Sequence, residues 1–152
     1  MKKLFSMLFI TAMLGLVFTA CGDDKDEPEV PKTANLESVH ADENDNYFVF
    51  DIDMTENKGT IIMHNMQFAP GAPVMTLRVN VPVSLSSSGD AYIMRGSGLV
   101  VEMRVGDGSW VPMPSENYLL NNLMCTVNPK AKTYDISFDS HGGHFEESGK
   151  LQ

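Results

Sequence analysis

The chain holds 152 residues, 43% hydrophobic and 20% charged, with 20 acidic against 11 basic side chains and a formal net charge of -9. That length suits one domain, since domains usually run to ~100–150 residues. The acidic balance excludes a nucleic-acid binder, which needs a basic face for phosphates, and 2 cysteines cannot form the disulfide framework of a small secreted scaffold.

The chain opens on Lys2 and Lys3, followed by residues 4–20 without a single charge. A basic start and a short apolar core form the pattern of a secretory signal, and the run is too short and wrongly flanked for a spanning helix. It closes on Phe18-Thr19-Ala20-Cys21. Small residues before a cysteine suit the narrow site of a signal peptidase and leave the thiol free for acylation. This segment resembles a bacterial lipoprotein lipobox, which implies lipidation at Cys21. Residues 22–32 are acidic, carry Pro28 and Pro31, and offer little to bury, so they read as an extended tether. The acidic run after the cysteine also resembles the surface-export signal of Bacteroidetes lipoproteins, which implies an outer-membrane anchor and a domain facing the cell exterior. More than one acyl chain gives firm attachment, at ~0.8 kcal/mol per buried methylene. The domain reading is therefore a signal peptide over residues 1–20, a lipidated cysteine and flexible tether over 21–45, and a β domain over 46–152.

From Asn46 onward the apolar period is two. Residues 47–54 place Phe48, Phe50, Ile52 and Met54 on one face and Tyr47, Val49, Asp51 and Asp53 on the other. After a turn at 56–59, residues 60–68 read as a strand with Ile62, Met66 and Phe68 on one face and His64 among them. The sharpest alternation follows the break at 70–73, with Met75, Leu77, Val79, Val81 and Val83 against Thr76, Arg78, Asn80 and Pro82. Pro82 cannot donate to a ladder, so the strand is expected to end there or lie at an edge. Residues 91–95 and 99–105 make two more short strands, the second facing Leu99, Val101, Met103 and Val105 one way. A proline-broken apolar connector over 110–114 leads to strands at 118–127, 133–139 and 143–151. Tyr134, Ile136 and Phe138 form an inward face. Residues 33–44 are expected to hold one helical turn at most.

About eight short strands separated by turn signals predict an all-β antiparallel meander. Such a meander can close into a barrel just filled by side chains or holding one small ligand; a half-barrel or two-sheet sandwich fits the same pattern. Gly59-Thr60-Ile61-Ile62-Met63, the Pro-containing stretch 65–83, residues 117–127 leading into 134–138, and the terminal Phe145 and Gly149-Lys150-Leu151 together resemble the calycin-like (lipocalin-like) domain of small Bacteroidetes lipoproteins. The resemblance covers residues 46–151 and implies a calycin-like barrel or half-barrel.

Candidate chemistry is sparse. His141-Gly142-Gly143-His144, with Asp139 just before it, is the nearest approach to a metal-ligand cluster, but zinc wants three or four oriented ligands and a polar hairpin turn is the simpler reading. His64 on an apolar face reads as a hydrogen-bonded core histidine. Cys125, among apolar neighbours, reads as inert. Asp51 and Asp53 share a strand face opposite the apolar one, so they read as solvated rather than as a glycosidase pair. No phosphate loop, nucleophile elbow or zinc-protease helix is present. Methionines 54, 63, 66, 75, 94, 103, 113 and 124 are flexible thioethers that either fill core gaps or line an adaptable apolar pocket. Trp110, Met113 and Tyr118 are candidates to cap such a pocket.

The sequence thus predicts a non-catalytic lipoprotein, with no cofactor and no metal, that binds a small apolar ligand or a surface protein partner. The expected lining is Phe48, Phe50, Ile62, Met66, Leu77, Val79, Val101 and Met103. The rival reading is a packed interaction module, an accessory subunit of a surface glycan-uptake or adhesion complex.

Overall fold

A computed structural model describes residues 30–67 and 70–152. The leader, Cys21 and the start of the tether lie outside the described residues, as does Phe68. The regular structure of the described chain is almost entirely strand: β1 (Thr33–Glu37), β2 (Tyr47–Asp53), β3 (Lys58–Met66), β4 (Met75–Leu85), β5 (Tyr92–Gly96), β6 (Val101–Arg104), β7 (Val111–Pro112), β8 (Asn121–Asn128), β9 (Thr133–Ser140) and β10 (Gly143–Lys150). One 3-10 turn, Glu116–Tyr118, precedes β8, its Asn117 N–H capped by the Ser115 hydroxyl. Eight strands run as an antiparallel meander, β1-β2-β3-β4-β5-β8-β9-β10, curled into a half-barrel, while β6 and β7 form a side ribbon on β4.

The predicted class holds, although the eight strands of the meander are not the eight read from the sequence. β6 was counted among them and sits off the path. β1 was assigned to the tether and is a strand, paired with β2 from Thr33↔Asp53 to Glu37↔Val49. Thr-Ala-Asn-Leu-Glu has little intrinsic strand preference; it is extended because the edge of β2 offers a ladder of unpaired backbone groups, and Ala34 and Leu36 find apolar cover on the core. The sheet therefore begins at Thr33 rather than at Asn46.

β4 bends the sheet. Its first part pairs with β3 on one side and β6 on the other, and residues 83–85 pair with β5. Pro82 sits at the change of partner. The Val83 N–H donates to the Asn57 carbonyl at 3.2 Å, so the neighbouring Pro82 nitrogen points away from β3, into the interval between the end of β6 and the start of β5. The strand continues past the proline because no donor is needed at that spot.

Alternation predicted the inward faces of β2, β4 and β9 correctly. Phe48, Phe50, Ile52, Leu77, Val79, Val81, Val83, Tyr134, Ile136 and Phe138 are all buried. It misplaced β3: Ile61 and Met63 are buried, and Ile62 and His64 face outward. Three consecutive apolar residues carry no phase, so the pairing Phe50↔Ile61↔Val79 decides which of them turns inward. A bulge between Met63 and Met66, with Asn65 at φ 58°, then returns Met66 to the inside. Val105, expected inward, is exposed because β6 ends at Arg104 and the chain turns.

The half-barrel is filled by an aromatic column. The Tyr134 ring lies 5.3 Å from Phe50 and 5.6 Å from Phe48, and Phe145 continues the column to Phe138 at 4.7 Å. Tyr134 fits because its register partner on β10 is Gly149: a Cβ there would stand 2.7 Å from the ring. The Tyr134 hydroxyl donates to Glu147 at 2.8 Å. Burial, then the Glu147 carboxylate, push that hydroxyl well above the usual phenol range.

The two ends of the meander meet at one point. Ser38 and Leu151 form an isolated bridge, flanked by Val39 N–H to the Lys150 carbonyl at 2.7 Å and Gln152 N–H to the Glu37 carbonyl at 2.9 Å. Beyond it β10 has no second neighbour. The inward-pointing Glu147 on that edge is a known deterrent to edge-to-edge association.

Replacing Gly149 by Ala should destabilise the fold by ~1–3 kcal/mol through overpacking against Tyr134. The check is a lowered urea midpoint with an unchanged slope.

Candidate functional site

At one end of the half-barrel, here called the mouth, the aromatic column stops short of the surface and leaves a cavity of about 330 Å³. Its walls come from both halves of the curl. Met63 and Met66 of β3, Leu77 of β4 and Val101 of β6 form one side; Leu120, Phe138 and Phe145 form the other. Asn46, Gln67, Tyr118, Ser140, His141 and His144 make a polar rim. A wider hollow of about 460 Å³ lies over Asn57, Lys58, Gly59, Thr60, Asn80, Val81 and Pro82, but it is more open and is lined by neighbouring residues of only two strands. The cavity at the mouth is the better-built site, because apolar and polar groups from distant parts of the chain converge on it.

The rim is set by the β9–β10 hairpin. Ser140 pairs with Gly143, leaving a two-residue loop in which His141 (φ 50°) and Gly142 (φ 74°) both take the left-handed conformation. Such a loop matches the right-handed twist of its strands. The His141 N–H donates to the Asn117 carbonyl at 2.8 Å, and its ring stacks on Tyr118 at 5.0 Å with 3° between planes. His144 stands 2.7 Å from Asp139, which also accepts from the Asn122 amide at 2.7 Å. Those two hydrogen bonds, Asn122 first, hold the Asp139 carboxyl below the usual carboxylate range. His141 and His144 thus have separate partners, and among the described residues no three His, Cys, Asp or Glu side chains come together to hold a metal.

Of the predicted lining residues, Met66, Leu77 and Val101 line the cavity. Phe48, Phe50 and Val79 lie deeper, in the packed core. Met103 is half-buried beside Leu77, its register partner, and packs on the core. Ile62 is on the outer face, for the reason given above. The expected lining omits Met63, Leu120, Phe138 and Phe145, and of the rim it offers Tyr118 alone as a cap. Phe138 was correctly read as inward, but nothing local distinguishes an inward residue at the mouth from one in the core. Tyr118 is at the rim as expected, whereas Trp110 lies on the outer face, with Arg78 at 4.4 Å and Arg104 at 4.7 Å from its ring centroid.

The remaining candidates resolve simply. Cys125 is 1% exposed, and burial raises its thiol far above the ordinary range, so it stays protonated. Asp53 is tied to Thr55 in a turn and Asp51 is exposed. His64 stacks on Tyr47 at 4.2 Å, and Tyr47 stacks on His40 at 4.2 Å, forming a ring ladder outside the sheet. Burial, then the Arg104 charge, lower the His64 pKa.

Comparisons with protein-family models, with characterised proteins and with solved structures find no match to this chain.

A lowered His64 pKa means the folded state binds fewer protons than the unfolded one, so stability should fall as pH drops through ~6.5. His64→Gln should flatten the stability curve over that window, as read by urea unfolding at a series of pH values. A curve of unchanged shape would show that the loss arises elsewhere.

Proposed function

We propose that the chain is a lipid-anchored lipoprotein of the Bacteroidetes calycin-like type, held in the outer membrane through Cys21 and facing the cell exterior, with a non-catalytic role: binding a small apolar ligand at the mouth of its half-barrel. The observation that carries the binding role is the cavity of about 330 Å³ with apolar walls and a polar rim. Small-molecule pockets span ~300–1,000 Å³, so this one suits a compact ligand. Met63 and Met66 give two walls that can adapt in shape, and Phe138 with Phe145 give a flat, rigid floor.

The entry point of the tether fits that role. Val30 is buried, the Pro31 carbonyl accepts from the Tyr92 hydroxyl at 2.7 Å, and the Lys32 carbonyl accepts from the Met54 N–H at 2.7 Å. These contacts lie at the end of the half-barrel opposite the mouth. Eight residues lie between Cys21 and Val30, nine chain steps that reach at most ~30 Å. A lipid on Cys21 keeps the tethered end nearest the membrane and leaves the cavity turned outward.

Two measurements test this reading. Native mass spectrometry of the chain purified from its own cells in mild detergent should show a small added mass, lost on denaturation. Met66→Trp, which fills the cavity with a larger ring, should abolish that mass while leaving the unfolding free energy within ~1.5 kcal/mol of the parent. A bare mass for the parent would favour the packed interaction module. Separately, Cys21→Ser should move the protein from the membrane fraction to the soluble fraction; retention in the membrane would overturn the lipid anchor.

A further inference from the structure

Near the mouth, on the outer face of the sheet, basic side chains from three places in the chain converge. His64 of β3 and His40, from the loop after β1, flank Tyr47 in the ring ladder, and Arg104 of β6 and His40 both act electrostatically on His64. The opposing acid is Glu37, 3.6 Å from His40 Nδ1. Arg78, next along the sheet, is neutralised by Glu102, whose carboxylate meets its Nε at 2.5 Å. Arg104 has no such partner: it makes no ion pair among the described residues, its Nε is buried without a hydrogen bond, and its charge rests only against the Trp110 ring at 4.7 Å. Burying a donor unsatisfied costs ~1–3 kcal/mol, and more for a charged group. A chain of net charge -9 has ample carboxylates to pair with it, yet here the Arg104 guanidinium is left without one and its charge acts on the His64 imidazole.

We propose that this face is a second binding site, for a small soluble molecule carrying a tetrahedral oxyanion of the phosphate or sulfate type, with Arg104 as the fixed anchor and His64 as a partner that gains a proton when it binds. A guanidinium presents a planar fork of donors matched to such an anion. The anion relieves the unpaired Nε–H and offsets the Arg104 charge that acts on His64. Glu37, 3.6 Å from His40, limits the site at its far edge and favours the charged form of His64. To reach the Nε edge an oxyanion must shift the indole of Trp110, the single tryptophan of the chain. Its emission reports on anion binding here, and the Arg104 variants separate that signal from any effect at Arg78, 4.4 Å from the same ring.

The test titrates the full chain with inorganic sulfate and inorganic phosphate at constant ionic strength, at about pH 5.5 and about pH 7.5. Sulfate keeps its charge over that interval, so any pH dependence it shows belongs to the protein. The expected result is a saturable change in Trp110 emission with both anions, with sulfate binding at least ~3-fold tighter at the lower pH. Arg104→Gln should abolish saturation, Arg104→Lys should weaken it ~10-fold by losing the fork, and Glu102→Gln should retain it. His64→Gln should keep binding but shrink the pH dependence. Thermal unfolding confirms that each variant is folded. A response reproduced by chloride, or an Arg104→Gln variant that titrates like the parent, would overturn the site. So would vesicles of phosphatidic acid that shift the emission when free phosphate does not, since that result assigns the face to a lipid surface.

Discussion

The insertion of Tyr134 between the two halves of the sheet is the contact on which the rest of the molecule depends. A single curled sheet has no second layer to cover its inner face, so its own strands must meet across the interior. Tyr134 reaches from β9 to Phe48 and Phe50 of β2, and it can do so only because β10 presents Gly149 rather than a side chain beneath it. Its hydroxyl donates to Glu147, which satisfies the donor at the edge of the core. The edge strand thus serves two ends: Gly149 makes room for the ring, and Glu147 satisfies it.

The position of that column also explains where the cavity lies. The rings of Phe50, Tyr134, Phe48, Phe145 and Phe138 pack in series and then stop, and above them the strands of the mouth diverge. Methionine and leucine side chains border the space without crossing it. The half-barrel is therefore packed through most of its interior and hollow at one end. Both forms of interior that an eight-stranded meander allows are present in the same molecule. The polar rim follows from hairpin geometry, because a two-residue loop with two left-handed residues throws His141 against Tyr118 and leaves His144 beside Asp139.

The outer face obeys different rules. Side chains there are not needed for the core, so charge pairing and ring stacking decide their arrangement. Some charges on it are balanced locally, as with Arg78 and Glu102. Arg104 is arranged differently, with the Trp110 ring rather than a carboxylate against its guanidinium.

The amino-acid sequence by itself determined the all-β class, the inward faces of β2, β4 and β9, and the turns, because period-two patterning and glycine or proline chemistry are local properties of the chain. It left β1 undetected, since five residues of weak strand preference become a strand only when β2 offers them an edge. It could not phase Ile61-Ile62-Met63, where both faces are apolar and only the register with Phe50 and Val79 chooses between them. Met66, Leu77 and Val101 were legible as apolar wall residues, but their separation from the buried Phe48, Phe50 and Val79 depends on height within the curl. Height is a property of the assembled sheet. So is the meeting of β3, β4 and β6 with Phe138 and Phe145, residues as far as 82 positions apart in the chain (Met63 to Phe145). Pattern decides which way a side chain points; only the folded sheet decides what it meets there.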